Sequence, residues 1–113
     1  MGLDATVYLR GYGPDDDDCA DHTAIDRRLG NVGTVAHIRG RVAEALPTKS
    51  IICSRVIHTG THSGDELELA LVPRMLSELC LLDGDTDPDM QTFVASMRAL
   101  GEAALAQANP ICF

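Results

Sequence analysis

Leu3-Asp4-Ala5-Thr6-Val7-Tyr8-Leu9-Arg10 alternates apolar and polar side chains along its whole length. Successive strand residues point to opposite faces, so Leu3, Ala5, Val7 and Leu9 are expected on a buried face and Asp4, Thr6, Tyr8 and Arg10 on a wet one. A strand buried on one face needs a helical or sheet layer to cover it. Gly11, Gly13 and Pro14 end the pattern. Farther along, Ile51-Ile52-Cys53-Ser54-Arg55-Val56-Ile57-His58 is apolar on both faces apart from Ser54 and Arg55. That predicts a second, central strand.

Between these runs, residues 23–29 suggest a short turn or helix. Val35, Ile38, Val42, Ala45 and Leu46 then recur at helical spacing, after Asn31 as a helix start and before Pro47 as a stop. A helix there crosses between the two strands, which makes them parallel if they are neighbours. Leu69, Val72, Leu76 and Leu79 give a second stripe; Pro73 fits its first turn and sets the start near 70–72. Asp87-Pro88 caps a third helix through Met90, Phe93, Val94, Met97, Leu100, Ala104 and Leu105, which stops before Pro110. Ile111-Cys112-Phe113 adds a short edge strand. The expected fold is α+β: a small single-domain sandwich over residues 1–113. Two or three strands pack with three helices, in the order β-α-β-α-α-(β).

At 113 residues there is room for one core. Aromatics are 4%, which speaks against modules that stack bases on aromatic platforms, and a net charge of −8 speaks against a phosphate-tracking surface. No nucleic-acid partner is therefore expected. No run reaches the roughly 18 apolar residues of a membrane span, and the opening residues lack the basic and apolar regions of a signal peptide. A cytoplasmic location with reduced thiols follows. Gly2 and Thr6 fit the N-myristoylation pattern, but a start committed to a strand leaves little free arm for a lipid. Eight arginines against one lysine, with thirteen alanines, hint at a GC-rich bacterial genome.

Cys19, Cys53, Cys80 and Cys112 contain no Cys-x-x-Cys pair, so no redox dithiol or zinc knuckle is encoded locally. Cys53 on a strand and Cys80 on a helix are expected as small buried residues.

The densest polar segment is His58-Thr59-Gly60-Thr61-His62-Ser63-Gly64-Asp65. As a metal site it offers His58, His62 and Asp65, with Cys53 as a fourth ligand, a set suited to zinc. Gly60 and Gly64 argue against the helix that a spacing of four needs. As an anion site it offers backbone N–H groups around the glycines, crowded by Glu66 and Glu68. As a nucleophile site it offers Ser63, a histidine and Asp65, but Thr61 breaks the Gly-x-Ser-x-Gly elbow. The structural reading is a hydrogen-bonded connection placed where binding loops occur. Candidate binding residues are therefore His58, Thr59, Thr61, His62, Ser63, Asp65 and Glu66.

Asp15, Asp16, Asp17 and Asp18 form a second candidate binding segment. Four consecutive carboxylates point in different directions and suit a solvated loop better than a calcium site. Asp83-Gly84-Asp85-Thr86-Asp87-Pro88-Asp89 carries alternating carboxylates, yet Pro88 and Val94 stand where an EF-hand needs glycine and glutamate. It reads as an interhelix linker with a cap. His22 and His37 are isolated and read as surface or helix-face histidines rather than ligands.

Met1-Gly2-Leu3-Asp4-Ala5-Thr6-Val7-Tyr8, Arg28-Leu29-Gly30-Asn31, Gly60-Thr61-His62-Ser63-Gly64-Asp65 and Asn109-Pro110-Ile111-Cys112-Phe113 together resemble a group of small uncharacterised bacterial proteins. That resemblance implies no activity. Residues 35–82 resemble, more loosely, immunity proteins of bacterial polymorphic-toxin systems, with Leu67 where an aromatic residue is expected. The resulting expectation is a non-catalytic binding module, in its most specific form an immunity-type inhibitor of a basic toxin, with no cofactor. An acidic inhibitor is steered to the basic face of a nucleic-acid-cutting partner. The alternative is a small metal-dependent or hydrolytic enzyme centred on residues 58–65, with zinc.

Overall fold

The computed structural model describes residues 2–13, 22–47, 49–57 and 65–113. Strand β1 (Gly2–Tyr8) follows the alternation: Leu3, Ala5 and Val7 are buried and Asp4 is exposed. Leu9 lies just past the strand end and is exposed. β1 pairs antiparallel with β2 (Thr23–Asn31), so residues 23–29 are strand and not a turn or helix. Their alternation is broken by two bulges. Val7 pairs with Ile25 but Tyr8 with Thr23, leaving Ala24 extra; Asp4 pairs with Arg28 but Leu3 with Gly30, leaving Leu29 extra. Each bulge shifts the inward face by one residue, which erases the period of two.

Helix α1 (Val32–Ala45) follows β2 directly. Asn31 Oδ1 accepts the Thr34 N–H at 2.8 Å, and Val35, Ile38 and Val42 are buried. Gly30 has φ +147°, and a Cβ there would stand 2.8 Å from Thr34 Cγ2, so this strand-to-helix corner requires glycine.

The described part of the 51–58 run, residues 51–57, is not a strand; His58 lies outside the described residues. Ile52–Val56 wind into a π-helical turn, closed by Ile57 N–H donating to the Ile52 carbonyl at 2.8 Å. A short apolar run is equally consistent with a buried helical segment, and two side chains decide the matter here. Ser50 Oγ accepts the Cys53 N–H at 3.2 Å, and the Glu78 carboxylate accepts those of Ile51 (2.8 Å) and Ile52 (2.9 Å). These are the amides that a helix start leaves orphaned. Burial is as the hydrophobicity implies: Ile51, Ile52, Val56 and Ile57 all lie in the core.

β3 (Glu66–Leu67) and a 3₁₀ turn (Leu69–Leu71) lead into α2 (Val72–Cys80), with Pro73 in its first turn as expected. Asp87 caps α3 (Pro88–Gln107) through the Met90 N–H at 3.1 Å. β4 (Ile111–Cys112) is an interior strand and not an edge. The sheet order is β2-β1-β4-β3, antiparallel throughout, so the parallel pair joined by a crossover helix does not occur. The fold is α+β, with four strands among the described residues where two or three were expected. One buried cluster joins Ala5 and Val7 of β1, Ile38 of α1, Met75 and Leu79 of α2, Phe93 and Met97 of α3, and Ile111. Cys80 is exposed and Cys53 half-buried, so neither is the fully buried residue its element suggests.

Candidate functional site

Three places carry the polar chemistry. The first is where the 58–65 segment enters the sheet. His58, Thr59, Thr61, His62 and Ser63 lie outside the described residues; Asp65 and Glu66 are described. The Asp65 carbonyl accepts the Phe113 N–H at 2.9 Å, and Glu66 pairs across the sheet with Cys112. Cys112 Sγ lies 3.9 Å from Glu66 Oε2. Burial, and then the Glu66 charge, push this thiol up to about 11. Cys112 is therefore a poor nucleophile and a poor metal ligand at neutral pH. Cys53 sits in the π-helical turn with its amide bound to Ser50. Among the described residues, the three-donor group able to hold a metal contains neither Cys53 nor Asp65.

The second place is the root of the acidic segment. Asp15, Asp16, Asp17 and Asp18 themselves lie outside the described residues, but the chain on either side is well tied. The Leu9 N–H donates to the His22 carbonyl at 2.7 Å, and the rings of Tyr12 and His22 stack with centroids 3.7 Å apart. The amide of Asn109, just past α3, donates to the carbonyls of Tyr8 (2.9 Å), Leu9 (2.8 Å) and Tyr12 (3.3 Å). Arg10 N–H reaches Gln107 Oε1 at 3.0 Å. The base of the β1–β2 hairpin is thus fixed to the end of α3.

The third place joins α1 to the start of α3, fifty residues apart in the sequence. His37 Nε2 of α1 lies 3.1 Å from Asp87 Oδ1 at the start of α3. One turn along α1, the Arg41 guanidinium grips Asp85 with two hydrogen bonds, 2.9 and 2.7 Å. Asp85 in turn accepts the Asp87 N–H at 2.9 Å, and Arg98 of α3 holds Asp83 at 2.9 Å. The hydrogen bond from Arg41 depresses the Asp85 carboxyl below its ordinary range, and that from His37 does the same to Asp87. Asp89 completes a His37–Asp87–Asp89 group whose donor atoms all lie within 4.8 Å of one another. The 83–89 linker is therefore a clasp joining α1 to the α2–α3 corner, with Asp87 capping as expected. His37 is exposed but not isolated. Its spacing of four from Arg41 on one helix face, opposite a run of alternating aspartates, is the signal that could have found it.

Compared with protein families, curated proteins and solved structures, the chain finds no match. No helix among the described residues is long and apolar enough to cross a membrane.

Proposed function

We propose that this chain is a non-catalytic protein-binding module that docks on a basic partner through its acidic segment, in its most specific form a bacterial, cytoplasmic immunity-type inhibitor of a basic toxin. The observation that carries this reading is the fixed root of that segment. Tyr12 stacks on His22, Leu9 bonds to His22, and Asn109 ties both flanks to α3. Five of the seventeen acids (Asp15 to Asp18 and Asp21) and none of the nine bases fall between positions 14 and 21. The rest of the chain therefore carries −3 of the net −8. Charge gathered at one rigidly founded hairpin steers a partner toward one end of the molecule, whereas charge spread for solubility steers it nowhere in particular.

The test uses the protein encoded by the neighbouring gene, purified and mixed with this chain. The expected result is a complex whose association rate falls as salt rises, because screening acts over about 8–10 Å at physiological ionic strength. Replacing Asp15, Asp16, Asp17 and Asp18 by asparagine slows association and flattens its salt dependence, with dissociation unchanged. An unchanged association rate at every salt concentration removes the electrostatic argument. Absence of any complex at low salt overturns the reading itself.

A further inference from the structure

We infer that His37, Asp87 and Asp89 form a binding site for a first-row divalent metal ion, zinc being the natural probe. The site is distinct from residues 58–65 and does not depend on the docking role proposed above.

The argument is geometric. Two ligand atoms each about 2.0–2.2 Å from one zinc ion lie roughly 2.8–3.6 Å apart at coordination angles between right-angled and tetrahedral. His37 Nε2 and Asp87 Oδ1 are already 3.1 Å apart. An ion bonded to both replaces the direct hydrogen bond without moving either backbone. The Nε2 proton of the neutral His37 ring leaves to water while Nδ1 takes one up from water, so the other neutral tautomer presents Nε2 to the ion. The third donor, a carboxylate oxygen of Asp89, lies within 4.8 Å of the other two, close enough for a change of side-chain torsion to bring it in.

The frame is rigid. His37 rides on α1, anchored beneath by Val35, Ile38 and Val42, and Asp87 and Asp89 open α3, anchored by Met90 and Phe93. Asp87 is aimed: its Oδ2 is occupied by the Met90 N–H, which leaves Oδ1 for the ion. Such outer partners orient a ligand as much as the metal does. Asp85 is not a ligand, because Arg41 holds both of its oxygens. One imidazole nitrogen with two carboxylate oxygens suits zinc, cobalt or manganese; calcium takes oxygen ligands alone. His37 and Asp89 are exposed, so water completes the coordination.

The experiment is a zinc titration of the full chain, followed by calorimetry and by the ring-proton resonances of the four histidines. The expected result is a zinc-induced shift of the His37 resonances and a rise in Tm, since an ion that binds the folded state stabilises it. Affinity falls at least about tenfold in both H37A and D89N. Asp87 is left intact because it caps α3; D89N keeps the helix start and guards against misfolding in H37A. Zinc binding unchanged in both variants, binding lost in H58A/H62A instead, or no binding by the wild type would each overturn the site.

Discussion

Gly101 and Gly40 are both glycines inside helices, and they respond oppositely to an added methyl group. A Cβ on Gly101 would stand 2.6 Å from Leu76 Cδ2 and 3.0 Å from Leu76 Cγ, where α3 crosses α2. Gly101→Ala should destabilise the fold by about 1 kcal/mol, overpacking outweighing the gain in helix propensity. Nothing lies within 4 Å of a Cβ on Gly40, so Gly40→Ala should stabilise by up to about 1 kcal/mol. Denaturant midpoints moving the same way in both variants would contradict the packing argument. A second contrast involves the thiols. Cys80 is exposed, whereas Cys112 is half-buried and raised from 9.0 to about 11. Alkylation at pH 8 should label Cys80 well before Cys112. The unfolded chain ionises Cys112 from about pH 9 and the folded chain from about 11, so this residue's contribution to stability is present below pH 9 and lost as the pH rises to 11. Legibility at this scale depends on reach. Asn31 and Asp87 were readable as caps because a cap acts three residues away. The pairing of His37 with Asp87 was not, because fifty residues separate two groups that meet only after the helices have packed.

α1, α2 and α3 lie where their apolar stripes and stops place them, with Asn31 and Asp87 as caps of the first and third, and β1 keeps its alternation up to Tyr8, short of Leu9. The misreadings fall where a tertiary contact overrides a local pattern. Residues 51–57 form a helical turn because Glu78, on another helix, receives their first amides at 2.8 and 2.9 Å. Residues 23–31 form a strand although two bulges hide the alternation. Glu78→Ala should strand the Ile51 and Ile52 amides in a site where the Glu78 side chain is 12% exposed, at a cost of roughly 2–3 kcal/mol. Hydrogen exchange should quicken first at residues 51–57 and only later in α3. Uniform acceleration across the molecule would mean that Glu78 does not hold this turn specifically. Of the candidate site residues, the sequence also marked out Asp65 and Glu66. Their partners Phe113 and Cys112 were not legible, because only a sheet that brings β4 beside β3 joins them.

Across the whole molecule, the sheet is guarded at both margins. β3, at one edge, is two residues long. β2, at the other, is nine residues long but carries two bulges, and the exposed Arg27 pairs with Ala5. A charged side chain on a bulged edge strand discourages pairing with another chain. Arg27→Val should remove that guard and produce concentration-dependent association in sedimentation velocity; a variant that stays monomeric at every concentration would show the bulges to be sufficient alone. The same sheet has a consequence for the order of events at birth. β4 lies between β1 and β3, and its one pairing with β1 joins Thr6 to Cys112. A nascent chain emerging from the ribosome can close the β1–β2 hairpin early, but β3 has nothing to lie against until residues 111 and 112 have cleared the exit tunnel. Long-range pairing of this kind is slow to form. Until β4 arrives, the chain is a hairpin and helices with an open seam. The final stitch, Cys112 against Thr6, joins positions far apart along the chain.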